Sequence, residues 1–283
     1  MASLRQIKRR IKTAKNIAQI TKAMEMVAAS KMKRAQNQAL ASKPYAEKLY
    51  AITGSLVGID KEASPPLLAN IERAQKNTIF IIVAPEKGLC GSLVSNLGKE
   101  FNSLPKDSPI HFITIGKKAR DLILRINGQI LAHFELGLGQ PKFEIVPPIV
   151  NIITEKFIKG EINKVFSLYT DFVNTIIQRP VIKQLLPVTG LINSEEVIKT
   201  DFQFEPSPQI VLESLLPHYL EMEIYQIVLE AYASEQSARM IAMKNATDNA
   251  SEITQELTLV YNKLRQAAIT NEIADIVTAS LTL

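Results

Sequence analysis

The sequence describes a folded protein of moderate size with a small excess of positive charge. Its 283 residues are 46% hydrophobic and 22% charged, with a formal net charge of +5, and this composition excludes an intrinsically disordered chain. No apolar run approaches the roughly 20 residues that a membrane span needs, and no hydrophobic stretch follows the basic N-terminus as it would in a secretory signal. The single cysteine, Cys90, cannot form an internal disulfide, which indicates a reducing compartment.

Helix-breaking residues are confined to the middle of the chain. All 11 glycines lie within residues 54–190, and all 14 prolines lie within residues 44–217. The first 43 and the last 66 residues therefore contain no breaker, whereas the helices of globular proteins average only about 11–12 residues. This pattern predicts two long terminal helices.

Both terminal segments carry small or apolar residues at the heptad spacing of a coiled coil. On the N-terminal segment these residues are Leu4, Ile7, Ile11, Ala14, Ala18, Thr21, Ala28, Met32, Ala35 and Ala39. On the C-terminal segment they are Leu220, Ile224, Ile227, Ala231, Ser234, Ala238 and Ile241, followed after a slip near Asn245 by Ala250, Ile253, Leu257, Val260 and Leu264. Small residues on such a seam allow a partner helix to approach closely.

The two terminal segments carry charges of opposite sign. Residues 1–50 contain 12 basic and 2 acidic residues, and residues 209–283 contain 4 basic and 10 acidic ones. This favours an antiparallel coiled coil between the two segments, although solvated helix faces would give the same pattern. A register with Lys43 opposite His218 places four basic residues (Arg5, Arg9, Lys12 and Lys31) opposite or near acidic ones. It also brings Lys22 beside Arg239, as a cation cluster without an intramolecular partner.

The same register leaves the end of the C-terminal helix uncovered. It places Ser3 opposite Thr258, so that residues 259–283 form a single helix beyond the coiled coil. The apolar residues of this tip are spread over several sides of the helix, and such a helix is not stable in water on its own. We therefore expect an enclosing partner around the tip.

Strands and helices alternate in the segment between the two long helices. Strands are predicted at residues 78–84, 110–115, 130–134, 164–172 and 181–187, and helices at 92–104, 117–127 and 146–158. The alternation predicts an α/β domain with a mostly parallel sheet and helical cover, inserted between two long terminal helices that form an antiparallel coiled coil. The predicted domains are an N-terminal coiled-coil helix (1–57), a connector (58–76), the α/β domain (77–190), a second connector (191–208) and a C-terminal coiled-coil helix with a single-helix tip (209–283).

The sequence offers no recognisable catalytic, cofactor or metal site. It lacks the phosphate-loop motif of nucleotide hydrolases, and its three histidines, His111, His133 and His218, lack the spacing of metal ligands. The turn from Gly88 to Gly91 lies between a strand and a helix, where an anion could bind, but a tight turn around a packed cysteine has the same sequence. We expect no catalytic residue, no cofactor and no metal.

Nucleic-acid binding is an alternative for the basic N-terminal segment. Its basic residues cluster within about three helical turns; they are Arg5, Lys8, Arg9, Arg10, Lys12 and Lys15. The first tyrosine is Tyr45, so aromatic side chains for base stacking are missing there, and an acidic partner helix would neutralise much of the field. We expect no nucleic-acid partner, and keep as alternatives a coiled-coil nucleic-acid-binding or scaffold protein and an α/β enzyme with helical arms.

Segments at both ends of the chain resemble the signatures of one known family, the gamma subunit of the rotary F-type ATP synthase of bacterial type. Residues 20–32 (ITKAMEMVAASKM) resemble its N-terminal signature, and residues 242–249 (AMKNATDN) and 261–272 (YNKLRQAAITNE) resemble its C-terminal one. In the middle of the chain, residues 88–94 (GLCGSLV) resemble the family's GLCGGLN and depart from it at Ser92 and Val94.

The resemblance implies a rotor shaft and a non-catalytic chain. Members of this family form the central stalk of the proton-translocating ATP synthase, where their coiled coil turns inside a ring of three alpha and three beta subunits that holds the nucleotide sites. Their α/β domain meets the epsilon subunit and the c-ring. The implied location is peripheral, on the cytoplasmic face of the bacterial cell membrane, and the presence of only Cys90 excludes thiol regulation of the chloroplast kind.

The motif match also implies two groups of partner contacts. Lys22, Met24 and Arg239 would lie near acidic loops of the beta subunits. The second group would contact the ring deeper inside and consists of Arg265, Gln266, Thr270 and Glu272.

Overall fold

Two long helices begin and end the part of the chain that the structure describes. A computed structural model describes residues 4–57, 65–68, 77–103, 109–137, 139–188 and 204–281. Helix α1 spans Leu4–Val57 and helix α5 spans Pro208–Leu281. Pro44 and Pro217 lie inside these helices, so both extend further towards the middle of the chain than the breaker-free segments do. The prediction of two long terminal helices is confirmed.

A five-stranded sheet lies between the two long helices in sequence. Its strands are β1 (Thr78–Val83), β2 (Ile110–Ile115), β3 (Gln129–Phe134), β4 (Lys164–Phe172) and β5 (Gln178–Leu186). The spatial order is β3-β2-β1-β4-β5, in which β1 to β4 are parallel and β5 is antiparallel to β4. The predicted mostly parallel sheet is confirmed, and β4 and β5 form the hairpin at one of its edges.

The sheet buries a hydrophobic core on each of its faces. Helix α2 (Leu93–Asn102) and helix α3 (Lys117–Arg125) pack against Phe80 and Ile82 of β1 on one face. On the other face, Ile79 and Ile81 pack with helix α4 (Val146–Ile158) and with residues 212–231 of α5. This division follows from the strand itself, because successive side chains of a strand point to opposite faces. The predicted helical cover is therefore present on both faces.

The chain divides into two compact units, each of which contains part of both long helices. The coil unit comprises residues 1–28 and 239–283, and the domain unit comprises residues 29–238. The sheet and helices α2 to α4 thus belong to the same unit as the inner parts of α1 and α5. The domain boundaries drawn from the sequence stay a prediction, and the connectors at 58–76 and 191–208 lie largely outside the described residues.

Gly116 makes the tight connection between β2 and α3 that a side chain would block. Its φ angle is +90°, and a Cβ atom placed on it would lie 2.0 Å from the carbonyl oxygen of Ala84. We expect Gly116→Ala to lower the free energy of unfolding by about 3 kcal/mol or more, since backbone strain and a backbone clash add together.

Chemical denaturation of the purified chain measures this effect, and Gly98→Ala is a matched control. A Cβ atom on Gly98, inside α2, would meet only the Leu122 side chain, at an ordinary contact distance of 3.4 Å. The control should gain about 0.5–1 kcal/mol from helix propensity. Equal stability of the two variants would contradict the prediction.

Candidate functional site

The coil unit is held together by small residues on a heptad seam. On α1, Ile7, Ala14 and Ala28 are buried at seven- or fourteen-residue intervals, and on α5, Met243 and Ala250 are buried seven residues apart. Small side chains leave little volume between the helices, so the backbones approach closely. The predicted antiparallel coiled coil is confirmed, and its α1 seam is the one that the heptad pattern indicates.

The register of this coiled coil differs from the predicted one by one heptad. The hydroxyl groups of Thr21 and Thr247 are hydrogen-bonded at 2.7 Å across the seam, whereas the predicted register placed residue 240 opposite Thr21. A shift of seven residues keeps the same faces of both helices in contact, so the apolar pattern fits either register. The choice rested on exposed ion pairs, which are worth only a few tenths of a kcal/mol each. The register prediction is wrong for this reason.

The seam on the outer part of α5 also follows a different line from the predicted one. Ile253 and Val260 were expected on the seam, but they are 49% and 46% exposed. The predicted seam residues Leu257 and Leu264 are half-buried, and the other half-buried residues of this segment are Thr254, Tyr261 and Ala268. Polar Thr254 and Tyr261 thus take seam positions, while the apolar Ile253 and Val260 lie on the outer surface.

The predicted cation cluster does not form. Counting along the antiparallel helices from Thr21 and Thr247 places Ala246 opposite Lys22, and Arg239 lies seven residues, about 10 Å, further along α5. Lys22 forms an ion pair with Glu25 at 3.1 Å, and its side chain is 55% exposed. The expectation that Lys22 lacks an intramolecular partner is therefore wrong. Met24 and Arg239 are each half-buried.

The tip of α5 is exposed on all its described sides. Every described side chain from Ile269 to Ala279 is exposed, so the uncovered segment begins about ten residues later than the predicted one. Arg265, Gln266 and Glu272 are exposed as well. The exposed hydroxyl of Thr270 donates a hydrogen bond to the carbonyl of Gln266, at 3.0 Å, within the helix. Their roles as partner contacts stay a prediction.

Large apolar side chains cover much of the outer surface of the coil unit. On α1 they are Ile17, Ile20, Met26 and Val27, and on α5 they are Ile253, Leu259, Val260, Ile269, Ile273, Ile276 and Val277. The exposed fraction reaches 71% at Leu259 and 68% at Ile276. Exposed large apolar side chains in this number on one unit indicate a site of interaction with another protein. This surface is the candidate functional site of the chain.

The turn between β1 and α2 packs a cysteine into the core. The Cys90 side chain is 3% exposed and lies in the cluster that contains Leu93 and Leu97. Leu89 and Gly91 have φ angles of +64° and +60°, a left-handed conformation that makes the turn tight. This geometry favours a structural turn over an anion site.

The histidines of the α/β domain lie in the sheet, as predicted. His133 of β3 is hydrogen-bonded through Nδ1 to the hydroxyl of Thr114 on the adjacent strand β2, at 3.0 Å. His111 lies on β2. Within the described residues, no group of three or more potential metal ligands comes together.

A buried polar cluster along α5 was missed by the sequence analysis. The carboxylate of Glu223 is buried and accepts a hydrogen bond from the Tyr50 hydroxyl at 2.6 Å. Burial and the Glu223 carboxylate raise the pKa of Tyr50 far above its usual range. Seven residues further on, burial raises the pKa of Glu230, although Gln226 donates a hydrogen bond to it. The heptad spacing of these acids on a predicted buried helix was the signal that could have found them.

The raised pKa of Glu230 predicts a pH-dependent effect of Glu230→Gln. A carboxyl group whose pKa is higher in the folded state than in the unfolded state stabilises the fold at low pH and loses that contribution as the pH rises. Glu230→Gln removes the cost of a buried charge while keeping an acceptor for Gln226. We expect the melting temperature to rise by about 1–3 °C at pH 7 and the gain to vanish below about pH 4.5.

Thermal unfolding between pH 4 and pH 8 tests this prediction, with Glu155→Gln as the matched control. Glu155 is exposed, and its hydrogen bond to Lys159 lowers its pKa, so its replacement should bring no gain at pH 7. A melting temperature that falls at pH 7 in the Glu230 variant would contradict the prediction.

The chain belongs to the class of proteins in which an α/β domain is inserted between the two helices of a coiled coil, and the outer surface of its coiled coil is apolar. Solved structures share this fold. The chain superposes with a TM-score of 0.66 and 16% identity on a rotor chain of the Euglena gracilis mitochondrial ATP synthase, with 94% of this chain and 98% of that chain covered. The TM-score is 0.60, at 25% identity, for a chain from the central stalk and c-ring of the Tetrahymena thermophila mitochondrial ATP synthase, with 80% and 99% covered.

Sequence comparison assigns the chain to a family within this class. Residues 3–283 match the family model described as ATP synthase. The ATP synthase gamma chain of Dehalococcoides mccartyi is 46% identical over 282 residues, which cover 98% of each chain. That of Roseiflexus castenholzii is 42% identical over 288 residues, which cover 100% of this chain and 99% of the relative. The chain belongs to the ATP synthase gamma chain family, so the resemblance in the two end signatures is confirmed.

No helix in the described part of the chain is long and apolar enough to cross a membrane.

Proposed function

We propose that this chain is the central shaft of a proton-translocating F-type ATP synthase. The coiled coil turns inside the ring of alpha and beta subunits, and the α/β domain carries the contacts with the epsilon subunit and the c-ring. Rotation of this asymmetric shaft changes the conformations of the catalytic beta subunits in turn. Membership of the family over the whole chain supports this function.

The apolar surface of the coil unit is the observation that carries the proposal. Ile20, Leu259 and Ile276 are each at least 60% exposed, on both helices of the coil and on its tip. Burial of each such side chain contributes about 1.5–3 kcal/mol, so a ring that surrounds the coil gains stability on all its sides. Apolar side chains on both helices and on the tip fit a coiled coil that turns inside an enclosing ring (a bearing) better than they fit a single binding partner on one face.

The chain acts without catalytic residues of its own. Nucleotide binding and hydrolysis belong to the ring, and the shaft contributes its shape and its surface charges. Lys22, Met24 and Arg239 face acidic loops of the beta subunits. Deeper contacts with the ring come from Arg265, Gln266, Thr270 and Glu272.

The chain is a peripheral subunit located at the cytoplasmic face of the bacterial cell membrane. Its association with the membrane is indirect, through the c-ring, since the α/β domain is the part that meets the ring of c subunits. The alternatives of a nucleic-acid-binding coil and of an enzyme with helical arms make different predictions for the purified chain.

Reconstitution with purified alpha and beta subunits tests the proposal. The chain should co-purify with a large nucleotide-binding hexamer, and the isolated chain should hydrolyse no ATP. The hexamer prepared without the chain serves as the control. ATP turnover by the pure chain would support an enzyme instead, and binding to duplex DNA with a steep dependence on salt would support the nucleic-acid alternative. Either result, without hexamer binding, overturns the proposal.

A further inference from the structure

Helix α5 presents a line of three polar residues to the β4–β5 hairpin. Glu223, Glu230 and Ser237 are seven residues apart, and all three are buried or half-buried within the domain unit. Residues at this spacing lie almost in line along a helix, and the three span about 21 Å. We refer to these residues and their contacts on the hairpin as the polar ladder.

The inner rung of the ladder joins three elements. Glu223 forms an ion pair with Lys183 of β5 and accepts a hydrogen bond from Tyr50 of α1 at 2.6 Å. The Glu223 side chain is 7% exposed, whereas Lys183 is 49% exposed. Removal of Lys183 alone would leave a buried carboxylate without its counter-charge, which is strongly destabilising. This rung therefore fixes one position of α5 against both β5 and α1.

The middle rung joins α5 to β4. The Tyr169 hydroxyl donates a hydrogen bond to the Glu230 carboxylate, and the charges of Asp171 and Lys183 also act on it. Gln226 donates to the same carboxylate from within α5, at 3.1 Å. Lys183 therefore acts on two rungs, through the ion pair with Glu223 and through its charge near Glu230.

The outer rung fixes the tip of the hairpin. The Ser237 hydroxyl donates to the carbonyl of Thr175 at 2.7 Å, and the Gln178 side-chain amide donates to the Ser237 oxygen at 3.4 Å. Beside it, Phe172 at the end of β4 packs against Tyr232 and Ala233 of α5. The hairpin is thus attached to α5 along its length and not only at its base.

Polar contacts of this kind resist rotation of a helix better than apolar packing does. Apolar side chains are attracted without a preferred direction and tolerate small sliding, whereas hydrogen bonds and a buried ion pair have one favourable geometry. Buried polar groups are best attested as devices that fix register. The three contacts lie on a hairpin that is part of the sheet. A rotation of the sheet is therefore transmitted to α5 at three positions along the helix.

We propose that the polar ladder is the torsional attachment through which the α/β domain turns the coiled coil. The inference rests on the proposed shaft function and names the residues that carry torque between the two parts of the rotor. Lys183, Glu223 and Ser237 are positioning residues, which act on the catalytic ring only through the rotation of α5. Weakening the ladder lets α5 slip against the hairpin under load, so that one part of the rotor turns without an equal turn of the other.

The test variant is Lys183→Met with Glu223→Gln and Ser237→Ala. This variant replaces both members of the ion pair, so that no buried charge is left without its counter-charge. The glutamine that replaces Glu223 keeps an acceptor for the Tyr50 hydroxyl. The matched control is Lys156→Met with Glu161→Gln, which removes an ion pair of 2.7 Å at the surface of the same domain unit. Lys156 lies on α4, and Glu161 follows the end of that helix. Ser237→Ala alone is the milder variant, since it deletes only one hydroxyl.

The complete ATP synthase is reconstituted in vesicles with each variant, and ATP hydrolysis and ATP-driven proton pumping are measured against an opposing proton gradient. We expect near-normal hydrolysis in all variants. The number of protons pumped per ATP should fall at least twofold in the ladder variant, fall less with Ser237→Ala, and stay unchanged in the control.

Each outcome bears on one proposal. An unchanged pumping ratio in the ladder variant and in Ser237→Ala overturns the ladder, while the wild-type complex still pumps and the shaft function stands. A wild-type chain that assembles but supports no coupled pumping overturns the shaft function instead. A ladder variant whose melting temperature collapses, with an unchanged ratio for Ser237→Ala, also overturns the ladder, because the contacts then only stabilise the fold.

Discussion

Deletion of residues 272–283 is expected to leave the melting temperature of the isolated chain unchanged and to reduce ATP synthesis by the assembled enzyme at least tenfold. The reason is that every described side chain from Ile269 to Ala279 is exposed, so the described part of the deleted segment contributes to no core within this chain. The loss inside the ring is larger, because burial of Ile273, Ile276 and Val277 contributes about 1.5–3 kcal/mol each, and each 1.4 kcal/mol is about tenfold in affinity.

Thermal unfolding of the isolated chain and ATP synthesis by reconstituted vesicles measure the two effects separately. A longer deletion that begins at Thr254 is the informative contrast. It removes half-buried seam residues such as Leu257 and Leu264, so it should lower the melting temperature as well. If the shorter deletion alone destabilised the isolated chain by several degrees, the tip would belong to the core of its own chain and the bearing interpretation would fail.

The sheet and its helices were largely predictable because each strand has a strong local pattern. β1 reads as a short apolar run after Thr78, and β2 is mostly apolar with His111 and Thr114 as its polar residues, which is typical of parallel strands buried on both faces. The long helices were predictable for the opposite reason, since the absence of glycine and proline is a property of the whole segment. Both signals are local, and neither depends on knowing which elements touch.

The register of the coiled coil was not predictable from the same kind of pattern. A heptad pattern repeats itself every seven residues, so Thr21 can face residue 240 or Thr247 with the same apolar faces in contact. The hydrogen bond between Thr21 and Thr247 distinguishes the two registers, and a threonine pair on a seam of small residues carries no clear signal in sequence. Exposed charges such as Lys12 and Glu256 are compatible with several registers.

The polar ladder was not predictable because its partners are distant in sequence. Lys183 and Glu223 are 40 residues apart and lie on a strand and a helix, and no local pattern indicates that they meet. Glu223 and Glu230 were counted as part of the acidic charge of the C-terminal segment. In the structure these two side chains pack against the hairpin. Part of the acidic charge therefore interacts with groups inside the domain unit and does not attract the basic N-terminal helix.

The double variant Lys22→Gln with Arg239→Gln is expected to weaken coupling at low ionic strength and to leave the chain folded. Lys22 is 55% exposed, but its partner Glu25 is only 16% exposed, so the loss of this ion pair costs the fold more than the loss of a fully exposed pair does. In the proposed arrangement the effect on coupling is large, because acidic loops of the beta subunits would lose two opposite charges. We expect ATP synthesis to fall about threefold at 10 mM salt, where the screening length is about 30 Å.

The dependence on salt separates this effect from a structural one. At about 1 M salt the screening length is about 3 Å, so the difference in ATP synthesis between the variant and the wild type should disappear there. A loss of ATP synthesis caused by a damaged fold would remain at high salt. Lys43→Gln is the control, since Lys43 is similarly exposed (64%) and also pairs with a glutamate on α1, Glu47, but is not a predicted ring contact. A variant with normal coupling at low salt, or a control that is equally impaired, would show that Lys22 and Arg239 do not act on the ring, because surface charges that steer rotation must act where screening is weakest.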